Sequence, residues 1–144
     1  MIKFNIEAKK EGFNVKIGHI AVFTDDMETS IKFYELLGGK KGMSDVLTAP
    51  DGTSKKLVHM EFEDGATVEL VEPSQKDIIP KGAGICEHFC FDVENVDETV
   101  KSLKEKGINT FDKEEPYVLD IFGSIKIIFL TGPSGELIEL FQKL

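Results

Sequence analysis

A chain of 144 residues is long enough to bury one sizeable core, and 41% hydrophobic residues with 11 Phe place it among globular rather than disordered proteins. Its net charge of −9 works against nucleic acid, whose phosphates need cationic partners, and equally against anionic membranes. No apolar run approaches the ~20 residues of a membrane helix, and the Met1 to Asn5 start opens no signal-peptide core, so a cytoplasmic protein acting on a small molecule is expected.

In chain order, Ile2, Phe4 and Ile6 alternate with polar neighbours, the period-2 pattern of a half-buried strand, and Lys9-Lys10-Glu11-Gly12 follows as a turn. This segment reads as an added edge strand or dimer arm, and it is the reason a homodimer is expected. A strand over Lys16 to Phe23 comes next. Asp25 with Glu28 resembles a capping box, and Met27, Ile31, Tyr34 and Leu37 recur at helical spacing up to the stop at Gly38-Gly39. Strands then read near 41–47, 56–62 and 66–71, with Asp64-Gly65 as the hairpin before the last and Pro73 as its end. After a polar connection over Ser74 to Ala83 the plan repeats. A strand at 85–93 leads to a helix capped by Asn95 with Val96, Val100 and Leu103 as its buried stripe. Gly107 ends the helix, a ragged strand region spans 108–119, and strands follow at 124–130 and 136–141.

The repeat is visible in the letters themselves. Gly18-His19-Ile20 returns as Glu87-His88-Phe89 at an offset of 69, and Asp64-Gly65 with Glu69 returns as Ser134-Gly135 with Glu139 at an offset of 70. The expected fold is therefore α+β, a single domain over 1–144 built from paired βαβββ modules at 16–73 and 85–142, with a curved mixed sheet around a metal cup. His19, Glu69, His88 and Glu139 stand at corresponding places in the two modules. Two imidazoles and two carboxylates neutralise a divalent cation and suit Zn, Ni, Co or Mn, and four protein ligands leave open positions on an octahedral ion.

Other candidates carry less. Cys86 and Cys90 sit four apart on one expected strand, roughly 13 Å between Cα atoms and beyond disulfide reach, so they read as reduced, packed thiols. His59 shares a strand face with Glu61 and Glu63 and reads as a solvated face or a cup rim, the alternative being a role in proton transfer.

The stretches Gly18-His19-Ile20-Ala21-Val22, Val68-Glu69-Leu70-Val71-Glu72-Pro73, Glu87 to Val93 and Gly132 to Leu140 resemble the vicinal oxygen chelate superfamily, which includes glyoxalase I, methylmalonyl-CoA epimerase, dioxygenases and bleomycin-resistance proteins. The resemblance covers about residues 16–142. It implies a divalent metal held by His19, Glu69, His88 and Glu139, and a glyoxalase I-like lyase or isomerase that moves a proton next to a carbonyl. Glu139 is then the first choice of catalytic base and Glu69 the second. Glu69 as a fourth ligand counts against a dioxygenase. The alternatives are a methylmalonyl-CoA epimerase-like enzyme, favoured by Leu70-Val71-Glu72-Pro73 after Glu69, and a metal-free binding protein. All 17 cationic side chains are lysine, a weaker match to anionic substrates than arginine.

Overall fold

Two ten-residue helices carry one plan into both halves of the computed structural model, which describes residues 19–81, 86–121 and 123–144. Helix α1 (Met27–Leu36) starts after Asp26, whose carboxylate accepts the Thr29 backbone N–H at 3.0 Å. The cap is thus one residue later than the expected Asp25. The cause is Thr24, buried at the strand exit, whose hydroxyl donates to the Asp26 carbonyl at 3.0 Å and pins that residue at the turn. Helix α2 (Val96–Glu105) starts after Asn95, whose side chain accepts the Glu98 N–H at 3.1 Å as expected. Both helices stop at a left-handed glycine, Gly38 and Gly107, each at φ 96.

Strands β1 (Ile20–Phe23), β2 (Lys40–Thr48), β3 (Ser54–Glu61) and β4 (Thr67–Pro73) form one sheet in the order β1-β4-β3-β2. Strands β5 (Phe89–Asp92), β6 (Tyr117–Leu119), β7 (Ile125–Thr131) and β8 (Leu137–Lys143) form a second in the order β5-β8-β7-β6. In each, the first strand runs parallel to the last and the other pairings are antiparallel. The architecture is the expected α+β pair of βαβββ modules, realised as two mixed four-stranded sheets rather than one closed barrel.

Differences from the expected elements have local causes. Of the expected strand at 85–93, the described residues form strand over Phe89–Asp92, so His88 stands just before the strand instead of inside it. The ragged region at 108–119 contributes β6 and a bridge from Phe111 to Leu130; Asp112 N–H still donates to the Phe129 carbonyl at 2.9 Å, but the Asp112 carboxylate, not a backbone carbonyl, takes the Phe129 N–H at 3.0 Å, and the ladder goes no further there. The connection after β4 contains a 3-10 turn, Lys76–Ile78. The stripe of Ile2, Phe4 and Ile6 lies outside the described residues.

Alternation along the strands sends Val58, Met60, Val68 and Leu70 of one sheet, and Ile128, Leu130, Ile138 and Leu140 of the other, to the face covered by the helices. These join Tyr34, Val96, Val100 and Leu103 in one cluster that spans both modules. Fully buried Leu and Ile side chains contribute about 1.5–3 kcal/mol each, so this shared core is the main cohesion between modules. A polar contact crosses the seam: the buried Tyr34 hydroxyl donates to the Glu136 carboxylate at 2.8 Å. Gly132 makes room for it, since a Cβ there would meet the Glu136 carboxyl carbon at 2.3 Å. Among the described residues no helix is long and apolar enough to cross a membrane.

Candidate functional site

The faces of the two sheets turned away from the helices carry the titratable residues. In the first module β4 lies between β1 and β3, so Glu69 has a neighbour on each side. On one side Ala21 is its register partner and His19 immediately precedes β1. On the other side His59 of β3 is its direct cross-strand partner. Glu69 is 17% exposed, and its two oxygens are shared out: Oε2 lies 2.9 Å from His59 Nε2 and Oε1 lies 3.7 Å from His19 Nε2. The two imidazoles tilt toward each other with ring centres 5.4 Å apart.

The second module reproduces the backbone and changes the two side chains that flank the glutamate. Cys90 takes the register place of Ala21 beside Glu139, and Phe129 takes the place of His59 across from it. His88 Nε2 approaches Glu139 Oε2 at 2.9 Å, and the His88 ring meets Phe129 edge-on at 5.2 Å. His88 also hydrogen-bonds its neighbour Glu87 through Nδ1. Of the four residues expected at the metal, His19 with Glu69 and His88 with Glu139 therefore stand as two pairs, one per module. Among the described residues, the set of His, Cys, Asp and Glu donors lying within 4.8 Å of one another is His19, His59 and Glu69.

His59 is the residue the sequence reading undervalued. Periodicity placed it with Glu61 and Glu63, but Glu61 is exposed, Glu63 lies beyond the end of β3, and the half-buried imidazole instead meets Glu69 across the hairpin. A histidine ten residues before a recurring glutamate, with a turn between them, was the available signal. Neither cysteine is packed in the core: Cys86 is exposed ahead of β5, and Cys90 lies on β5, an edge strand that leaves one flank of the residue exposed while its thiol turns partly inward toward Glu139.

Local electrostatics set the protonation around Glu139. The hydrogen bond to Glu87 holds the His88 imidazole above its ordinary pKa, with the charges of Glu87 and Glu139 adding to it. Partial burial of the Cys90 thiol, reinforced by Glu139, pushes it up to about 12, so it stays a neutral S–H at physiological pH. Burial likewise raises the Tyr117 hydroxyl, with Asp112 and then Glu139 contributing. The carboxylate thus faces protonated neighbours and no competing anion from sulfur or phenol. The donor chemistry fits a divalent ion: imidazole nitrogens and carboxylate oxygens, partly withdrawn from water and converging on one side of each sheet.

Comparisons with known proteins agree with this architecture. Residues 16–140 match the model of the Glyoxalase/Bleomycin resistance protein/Dioxygenase superfamily. The mitochondrial methylmalonyl-CoA epimerase of Mus musculus is 30% identical over 137 residues, covering 88% of this chain and 72% of that protein. A glyoxalase family protein from Bacillus cereus superposes with a TM-score of 0.74 at 19% identity, over 95% of this chain and 99% of its own. TnmS3, an antibiotic binding protein from Streptomyces sp. CB03234, superposes at 0.64 with 18% identity, over 92% of this chain and 100% of its own.

Proposed function

The chain belongs to the Glyoxalase/Bleomycin resistance protein/Dioxygenase superfamily, and from that membership we propose that it is a divalent-metal-dependent enzyme that moves a proton on the carbon beside a carbonyl. The observation that carries the reading is the recurrence, once per module, of a half-buried glutamate on the last strand facing the histidine that precedes the first strand, at 3.7 Å in one module and 2.9 Å in the other. His19, Glu69, His88 and Glu139 are the residues that would hold the metal. A bound ion would polarise the substrate carbonyl and acidify the adjacent C–H. Glu139 is the first-choice base, and beside it His88, whose Nδ1 is engaged by Glu87, would offer Nε2 to the metal as a neutral imidazole. Glu69 is the second, and a carboxylate from each module allows a proton to leave one face of the carbon and return on the other.

That two-sided arrangement favours epimerisation of a 2-substituted acyl thioester. The murine relative and the run Leu70-Val71-Glu72-Pro73 after Glu69 point the same way. A glyoxalase I-like conversion of a hemithioacetal is the second reading, favoured by the match to the glyoxalase superfamily model over residues 16–140. The test is to load the purified chain with Ni, Co, Mn or Zn and assay methylmalonyl-CoA and glutathione hemithioacetal side by side, with solvent deuterium incorporation as readout. Turnover of the thioester with deuterium at C2 is expected. Metal uptake without turnover of either compound would sink the reaction. No uptake at micromolar metal would sink the metal reading and leave a binding protein, for which small molecules would raise the melting temperature of the metal-free chain.

A further inference from the structure

We propose that His59 is a metal ligand, and that His19, His59 and Glu69 anchor the divalent ion within the first module alone. The inference rests on the metal-binding part of the function above and is independent of its reaction. The three donors come from adjacent strands, with Glu69 on the middle one, so an ion lying over β4 is reached from both sides. An ion holding each donor at ~2.1 Å sets right-angle neighbours about 3 Å apart and opposite ones about 4.2 Å apart. His59 Nε2 is 2.9 Å from one oxygen of Glu69 and His19 Nε2 is 3.7 Å from the other, and one donor atom from each of the three residues lies within 4.8 Å of the rest, close to that span. Closing around an ion therefore asks for side-chain adjustment only, with no movement of strands.

The second module supplies the internal contrast. Its backbone register is the same, but Phe129 occupies the place of His59 and offers no lone pair, so His88 and Glu139 make a pair where the first module makes a trio. The trio is the anchor, and His88 and Glu139, with one imidazole fewer, would be the weaker and more exchangeable donors. The competing account is that His59 only orients Glu69 through their hydrogen bond.

Cobalt(II) separates the two accounts without reference to activity. In the full-length cobalt protein each ligating histidine contributes one hyperfine-shifted imidazole N–H proton signal. His88→Ala should keep two such signals, from His19 and His59; one remaining signal would overturn the proposal without any change at His59. His59→Gln retains an amide donor for Glu69 but is a poor ligand for the metal. It should weaken cobalt binding, measured by chelator competition, by more than about 100-fold, beyond the ~10–100-fold typical of an outer hydrogen-bonding partner. Circular dichroism would confirm that the variant is folded. A folded His59→Gln chain that keeps cobalt affinity within that range and the full set of shifted signals would remove His59 as a ligand. If the wild type binds no cobalt, the metal reading of the preceding section falls with it, which is a different outcome from a bound ion that ignores His59.

Discussion

The two modules share a backbone plan and differ in what they place on it. Each carries a histidine before its first strand, a glutamate on its last, and a third residue across the sheet from that glutamate. In the first module that residue is His59 and in the second it is Phe129. The same register thus holds a polar trio in one half and an aromatic-backed pair in the other. A second inequality lies on the helix side. Tyr34 and Glu136 fill one seam between the modules with a buried hydrogen bond. At the repeat-related positions Leu103 and Ala66 are smaller, and both line a cavity of about 1090 Å³ that also touches Phe62, Phe89 and Phe91. Duplication preserves strand pairing because backbone hydrogen bonds are indifferent to side chain, whereas the chemistry on either face is set one residue at a time.

Substitutions of the two glutamates press hardest on this contrast. Glu139→Gln is expected to lower the rate of deuterium incorporation by ~10²–10⁴-fold, as removal of a general base does, with a smaller loss of metal uptake than Glu69→Gln. Glu69→Gln should lower uptake first and turnover as a consequence. Equal loss of metal in both variants would erase the division between an anchoring module and a proton-moving module.

A transfer experiment comes next. In the double variant His59→Phe with Phe129→His, the second module acquires the trio and the first keeps the pair. Metal affinity by chelator competition should return to within about 10-fold of the wild type, since both modules hold the three positions in one register. Affinity that stays at the level of His59→Phe alone would show that the modules are not interchangeable platforms.

The seam gives the smallest effects. Tyr34→Phe leaves the Glu136 carboxyl short of a donor in a buried site and should cost about 1–3 kcal/mol in denaturant unfolding. Burial raises the pKa of Glu136 above its ordinary 4.5, against the lowering effect of its hydrogen bonds. The native chain therefore holds this proton to higher pH than the unfolded chain does. Its contribution to stability is fully present below 4.5 and is lost as pH rises through the elevated native value. Equilibrium unfolding of wild type and Glu136→Gln across that window should show a decline that the variant lacks.

Much of this was readable from residue order. The histidine and glutamate repeats, the helix stripes at Met27-Ile31-Tyr34 and Val96-Val100-Leu103, and the glycine stops all follow from local periodicity and from an offset that barely changes along the chain. Elements went astray where a side chain replaced a backbone partner, as Asp112 does for Phe129, or where a buried hydroxyl moved a cap, as Thr24 does for Asp26.

By itself, then, the amino-acid order determined the duplication, the βαβββ sequence of elements and the four recurring residues His19, Glu69, His88 and Glu139, because each is a relation among residues near in sequence or at a constant offset. Tertiary structure alone decided which imidazole meets which carboxylate. The turn after β3 is closed by hydrogen bonds from Phe62 N–H to the Ala66 carbonyl and from Gly65 N–H to the Phe62 carbonyl, both at 3.0 Å, and this closure puts His59 opposite Glu69. A slip of one residue there would turn His59 to the other face, an alternative that period-2 patterning along a single strand does not discriminate. The pairing of Tyr34 with Glu136, 102 positions apart, has the same origin, since it exists only once the two modules have buried a common core.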